Sequence, residues 1–255
     1  MDFNIRRPSH IFAAFLLSVT FFLVIVLPIL SYFDTSVPSE ISQMAQFPEV
    51  IQILFEIILL TIQLTLILIL LIFFPIIWYA VVNKLRLKEI FDRLKLRLEG
   101  LDVAFLWGIL SAIIMFIAVF IIGFILVILG QNTEELSNVS DLEQLFSFPS
   151  LLLLVAIQPI AEEIFFRGFL LEKFESLAGA PMAILTTSVL FGLAHMSYGK
   201  IYPVVLPIIF GILLGYIVIK TKNLYSAIIA HVIFNVIVII ISKLSELLAS
   251  EALIL

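Results

Sequence analysis

An all-α, polytopic transmembrane helical bundle of about seven spans is the fold class this sequence predicts, on three observations. First, 63% of the 255 residues are hydrophobic and only 13% are charged, about half the ~25% charged fraction of ordinary soluble domains. Second, several apolar runs exceed the ~18 residues that mark a transmembrane helix. Third, those runs are continuous and rich in Leu and Ile, as from Leu59 to Ile72. A transmembrane β-barrel is thereby excluded, because its strands alternate apolar and polar residues in ~10-residue segments.

The elements follow in order. Arg6 and Arg7 precede an apolar run from Ile11 to Phe33. That run outlasts the ~7–15 apolar residues of a cleavable signal and lacks an Ala-x-Ala end, so we read it as a retained first span. The second window, 51 to 80, is compositionally simple. After it, Leu87, Ile90, Phe91, Leu94 and Leu98 recur at helical spacing with basic residues opposite, the pattern of a helix lying on an anionic leaflet. The same stretch, 84 to 99, reads equally as a solvated charged connector. The remaining windows are 102 to 129, 148 to 171, 180 to 196, 202 to 219 and 225 to 243. Pro203 and Pro207 mark a bent or late-starting sixth span, and Gly192, Gly211 and Gly215 read as close-packing positions. The expected organisation is an N-terminal scaffold over 1–147, a four-span core over 148–243 and a tail over 244–255.

Charge orients the chain. Of the 14 basic residues, all but Lys200 and Lys243 fall on alternate connectors: Arg6 and Arg7, the six between Lys84 and Arg97, Arg167 with Lys173, and Lys220 with Lys222. The segments Asp34 to Glu49 and Gln131 to Glu143 contain acids and no Lys or Arg. By the positive-inside rule the N-terminus is expected in the cytoplasm and the C-terminus outside, in a cell membrane. Trp78 and Trp107 near the cytoplasmic ends of their spans, and Tyr32, Tyr198 and Tyr202 near the outer ends, suit interfacial belts. No basic tract exists that would neutralise phosphates, so nucleic acid is not expected as a partner. Cys is absent, which removes disulfides, thiolate nucleophiles and Cys metal ligands together.

Ionisable side chains in mid-bilayer cost roughly 2.5 to 3.5 kcal/mol each on insertion scales, so each needs a reason. They concentrate in the last four spans: Glu162, Glu163 and Arg167 in the fourth, His195 in the fifth, His231 with Asn235 in the seventh. The first three offer only Glu56, near an end, and Gln63. Glu163 and Arg167 stand four apart and can neutralise one another. Glu162 points about 100° away round the helix and is left for a neighbouring span. His231 and Asn235 repeat the four-residue spacing and share a face. Counted from the cytoplasmic ends these groups lie at overlapping depths of roughly 9 to 22 Å. Each alone has a bland reading: structural ion pair, packing imidazole, helix-gluing amide. Together they are the ingredients of water activation and oxyanion stabilisation.

At these residues the sequence resembles the CPBP (CAAX protease and bacteriocin-processing, formerly Abi) intramembrane proteases, which include the type II CAAX prenyl endopeptidases. Glu162-Glu163-x-x-x-Arg167 is similar to the EExxxR motif, Phe191-x-x-x-His195 to FxxxH and His231-x-x-x-Asn235 to HxxxN. Phe210, Gly211 and Gly215 followed by Thr221-Lys-Asn-Leu resemble the family's Gly-spaced helix and short turn. The resemblance covers about 158 to 237 and does not reach the first three spans. It implies glutamate-dependent endoproteolysis near the membrane surface. Glu162 and His195 would polarise a water, His231 and Asn235 would bind the oxyanion, and Glu163 with Arg167 would support them. It also implies a peptide or protein substrate at the cytoplasmic side, such as the C-terminal tripeptide of a prenylated CAAX protein, with membrane lipid as surroundings.

The family is often labelled metalloendopeptidase. Glu162, His195 and His231 would be the ligands of a divalent metal such as zinc, although the chain has no H-E-x-x-H and the glutamate mechanism requires no cofactor. Two other classes fit intramembrane Glu, Arg and His. A transporter or proton relay would show inverted repeats with paired broken helices, and only Pro203 to Gly215 resembles such a segment. A catalytically idle adaptor or bacteriocin-immunity factor would have no need of an unpaired Glu162.

Overall fold

The computed structural model describes residues 3–33, 47–131, 136, 139–198 and 200–252. Most of the acidic connector expected between the first two spans lies outside the described residues. Those residues form helices and no strand: α1 (Pro8–Tyr32), α2 (Glu49–Val81), α3 (Leu87–Arg93), α4 (Leu101–Ile128), α5 (Val139–Glu143), α6 (Phe148–Leu193), α7 (Tyr202–Thr221) and α8 (Tyr225–Ala252). Six of them, all but α3 and α5, are long and apolar enough to cross a membrane. The expectation was seven, and the difference lies in α6, whose two arms are the fourth and fifth expected spans. Residues 244–252 of the expected tail continue α8.

Gly179 divides α6. Its backbone stands at φ 78° and ψ 166°, a conformation open to glycine because it has no Cβ. Pro181 follows at the start of the second arm, where its missing N–H costs nothing. The arms run back along one another: the rings of Phe166 and Phe191 meet edge-on with centroids 5.1 Å apart. The first arm is also widened. Its α-helical turns pass at Glu163 into a π-helical stretch, Ile164–Leu170, a few residues after Pro159. Similar stretches at Phe22–Val26 and Leu68–Phe73 end two residues before Pro28 and Pro75. At Pro28 and Pro75 the ring would collide with the carbonyls of Val24 and Leu71, four residues back and inside these two stretches, and the wider turn accommodates it.

Small residues set the closest crossings, as membrane helices require where lipid supplies no hydrophobic drive. A Cβ on Gly108 of α4 would stand 2.7 Å from Ile229 Cγ2 of α8. One on Gly192 would enter the Ile208 side chain and lie 2.7 Å from the Val204 carbonyl oxygen of α7.

The two ends of the bundle differ in charge. At one end, Arg93 pairs with Glu172 at 2.9 Å, and Lys220 stands over the Trp107 ring at 4.4 Å. There the Leu224 N–H donates to the Lys95 carbonyl (2.8 Å), and Asn223 Nδ2 donates to the carbonyls of Arg97 and Glu99 (2.9 and 3.2 Å). The connector is therefore pinned to the bundle instead of lying free on a surface. Only Leu87–Arg93 is helical, Ile90 and Leu94 are 1% exposed in the core, and Leu87, Phe91 and Leu98 face outward. Burial holds the Lys95 ammonium below the ordinary lysine range, with Glu175 and Glu172 opposing the shift. Trp78 also departs from the expected belt: it is buried, with Phe3 stacked on it at 6.0 Å and Phe169 edge-on at 5.9 Å. At the opposite end, Glu56 Oε1 accepts from the Ser147 N–H and hydroxyl (2.9 and 2.6 Å), and Lys200 pairs with Asp141 at 2.6 Å.

Candidate active site

Glu162 and Glu163 are the last α-helical residues before the π stretch of α6 and, about 100° apart round the helix, leave it toward different neighbours. Glu163 turns into the protein. Its Oε1 accepts from Arg167 Nη1 at 2.9 Å, and both side chains are 0% exposed. The same oxygen lies 2.9 Å from His231 Nδ1, bridging α6 to α8 across 68 residues of sequence. Glu163 Oε2 and the remaining guanidinium nitrogens, Nε and Nη2 of Arg167, have no hydrogen-bond partner among the described residues. The guanidinium instead lies over the Phe191 ring at 4.1 Å, a favourable use of the ring's negative face.

Gly211 makes room for this arrangement. A Cβ there would lie 2.9 Å from Arg167 Nη2 and 2.9 Å from Ser188 Cβ. Gly211→Ala is expected to lose about 1–3 kcal/mol through overpacking, seen as a lower midpoint of thermal unfolding in detergent. An unchanged midpoint would show that Arg167 yields without cost.

Glu162 turns the other way, into a cavity of about 220 Å³ that it lines together with His195, His231 and Asn235. Glu162 Oε2 stands 3.9 Å from His231 Nε2, and each residue is 7% exposed. The His195 Nδ1 lies 2.8 Å from the Phe191 carbonyl. A carbonyl only accepts, so Nδ1 carries the proton of the neutral ring and Nε2 the lone pair. Phe191 sets both imidazoles, meeting His195 and His231 edge-on with centroids 4.8 and 5.7 Å away. The structure thus gathers all four residues singled out from the sequence around one space, and places Glu163 and Arg167 behind it.

Two features escaped the sequence reading. Glu162 does have a partner on its own helix: Gln158 Nε2 donates to its Oε1 at 2.7 Å, and Gln158 Oε1 faces Gln63 Nε2 at 3.5 Å. A glutamine four residues before a buried glutamate was the available signal. The His231 contact with Glu163 had no such signal, since it joins distant helices. As for a divalent ion, the expected ligands Glu162, His195 and His231 share the cavity, but no three His, Asp or Glu groups among the described residues are placed to hold one metal. The residues do not fit that group.

Residues 144–237 match the family model of Rce1-like type II CAAX prenyl endopeptidases. The matched segment, which is similar to that family over 144–237, carries Glu162, His195, His231 and Asn235. The chain is 30% identical over 135 residues to the uncharacterized protein YyaK of Bacillus subtilis (strain 168). That alignment covers 51% of this chain and 44% of YyaK, so the chain spans less than half the length of the curated relative it matches. No solved structure matches the chain. Six helices among the described residues, each long and apolar enough to cross a membrane, together with the similarity to a membrane-protease family, support a multi-pass membrane protein.

Proposed function

We propose that this protein is a glutamate-dependent intramembrane endopeptidase, seated in a cell membrane with its N-terminus in the cytoplasm and its C-terminus outside. One observation carries the reading. Glu162, a buried carboxylate held by Gln158, faces His231 across a cavity that His195 and Asn235 also line. A structural acid would be spent on an ion pair, as Glu163 is on Arg167.

In this mechanism the Glu162 carboxylate takes a proton from a water as its oxygen attacks the peptide carbonyl carbon. The lone pair on His195 Nε2 accepts the water's second hydrogen and orients it. Charge develops on the carbonyl oxygen, which Asn235 Nδ2 and the His231 imidazole bind. Collapse breaks the C–N bond, and Glu162 returns its proton to the leaving amine. Glu163, buttressed by Arg167, holds His231 through Nδ1 and so aims its other nitrogen at the cavity. The side chain of Gln158 holds Glu162 in place. The mechanism routes no step through a metal.

The test uses purified protein in lipid nanodiscs and a library of labelled apolar peptides. Wild type is expected to cleave with or without a chelator, and His195→Ala to lose about 10²–10⁴-fold in rate, the usual contribution of a positioned acid–base group. Full activity of His195→Ala, or activity abolished by the chelator and restored by zinc, would overturn the mechanism. Gln158→Leu is a gentler probe. It is expected to lower kcat up to about 10²-fold, as misplacing a reacting group does, with KM nearly unchanged. A change confined to KM would assign Gln158 to substrate binding.

A further inference from the structure

The cavity has a direction, and it points away from the basic end. Each core helix lines it only between the catalytic layer and the opposite end. From α6 the lining runs backward from Glu162 through Pro159 and Val155 to Leu154. From α8 it runs forward from His231 through Asn235 and Val238 to Ile239, a rise of about 12 Å. α7 contributes Leu214 and then residues back to Pro203 at its start. Val139 and Leu142 of α5, at the end where Asp141 pairs with Lys200, complete the wall.

Beneath the catalytic layer the protein is closed. Arg167 is 0% exposed, Phe165, Phe166 and Phe169 are each 1% exposed, and Ile217 and Leu224 are fully buried. Beyond that plug lie Arg93, Lys95, Lys220 and the rest of the basic connectors. A peptide arriving at the basic end would meet this plug and not Glu162.

Combined with the charge asymmetry of the two ends, and resting on the proteolytic reading above, this geometry leads us to propose the substrate class. The substrate is an apolar peptide segment presented from the extracytoplasmic side, either secreted or anchored in the outer leaflet. None of the described residues lining the cavity is Lys or Arg, while Glu162 supplies a negative charge. The cavity therefore suits an internal, uncharged stretch of chain better than a free C-terminal carboxylate. This departs from the cytoplasmic CAAX tail that the family resemblance implies. The cavity would receive such a tail from the wrong end and offers its carboxylate no Lys or Arg among the described lining residues.

The chain has no Cys, so single-cysteine labelling reads the side without background. In bacterial spheroplasts carrying the full-length protein, Leu142→Cys at the mouth and Lys88→Cys on the connector are treated with a membrane-impermeant maleimide. The expected result is labelling of Leu142→Cys in intact spheroplasts and of Lys88→Cys only after permeabilisation. In parallel, one apolar peptide is fused to a single-span anchor in both orientations. The outward-facing copy is expected to be cut and the inward-facing copy spared.

Labelling of Leu142→Cys only after permeabilisation, or cleavage confined to the inward-facing copy, would overturn the proposal while leaving the endopeptidase reading intact. If neither copy is cut and purified wild type cleaves nothing in nanodiscs, the endopeptidase reading falls and this inference falls with it.

Discussion

Glu162→Gln is expected to lower kcat/KM for peptide cleavage by about 10³-fold, within the range that a general base contributes, with the fold unchanged. The substitution keeps the side-chain shape, and the amide oxygen still accepts the hydrogen bond that Gln158 Nε2 donates to Oε1. What is lost is the negative charge facing His231 Nε2 at 3.9 Å and the capacity to take a proton from water. The equivalent change at the neighbouring position should behave differently. Glu163 does not line the cavity and is committed to Arg167 and His231. Glu163→Gln is therefore expected to act on stability as well as rate. Rates measured beside thermal unfolding midpoints separate the two glutamates, and a stable, fully active Glu162→Gln would remove Glu162 from the chemistry.

The largest effect on stability is expected at Arg167. Arg167→Ala leaves the Glu163 carboxylate buried at 0% exposure without its cation. Breaking a buried pair from one side costs about 3–5 kcal/mol. It also strips the Phe191 ring of the guanidinium over its face at 4.1 Å. Unfolding in detergent, followed by tryptophan fluorescence, should move to a markedly lower temperature, with poor recovery from the membrane. Removing both charges together, in Glu163→Gln with Arg167→Met, should restore most of that stability, because a buried pair replaced by neutral groups of similar volume is often close to neutral. Activity should not return with it, since His231 Nδ1 then faces an amide in place of a carboxylate. A double variant both stable and active would show that the pair serves the fold alone.

Much of this architecture was legible because the bilayer imposes a simple rule. Each spanning segment must be a long apolar helix, and every polar group inside it stands out. That rule finds the spans, the gap between the windows 148 to 171 and 180 to 196 that Gly179 closes as a tight turn, and the residues around the cavity. It sees less where polar groups bond across helices. Glu163 and Arg167 four apart are visible to helical spacing, whereas the bond from Glu163 to His231 depends on how α6 packs against α8. Gln158 was passed over because an uncharged amide costs little to insert, although it is what holds Glu162. Local pattern also misjudged Trp78 and the basic connector. The spacing of Leu87, Ile90, Phe91, Leu94 and Leu98 suits one apolar face. Tertiary contacts divide that set, taking Ile90 and Leu94 into the core and leaving the others outside.

The most direct measurement of the shared reaction centre is a double-mutant cycle on kcat/KM with Glu162→Gln, His195→Ala and the two combined. If both side chains act on one water in one cavity, either substitution alone disables the unit, and the double variant should be no slower than the slower single one. Losses that multiply would mean that the two residues act independently, and would contradict a common centre.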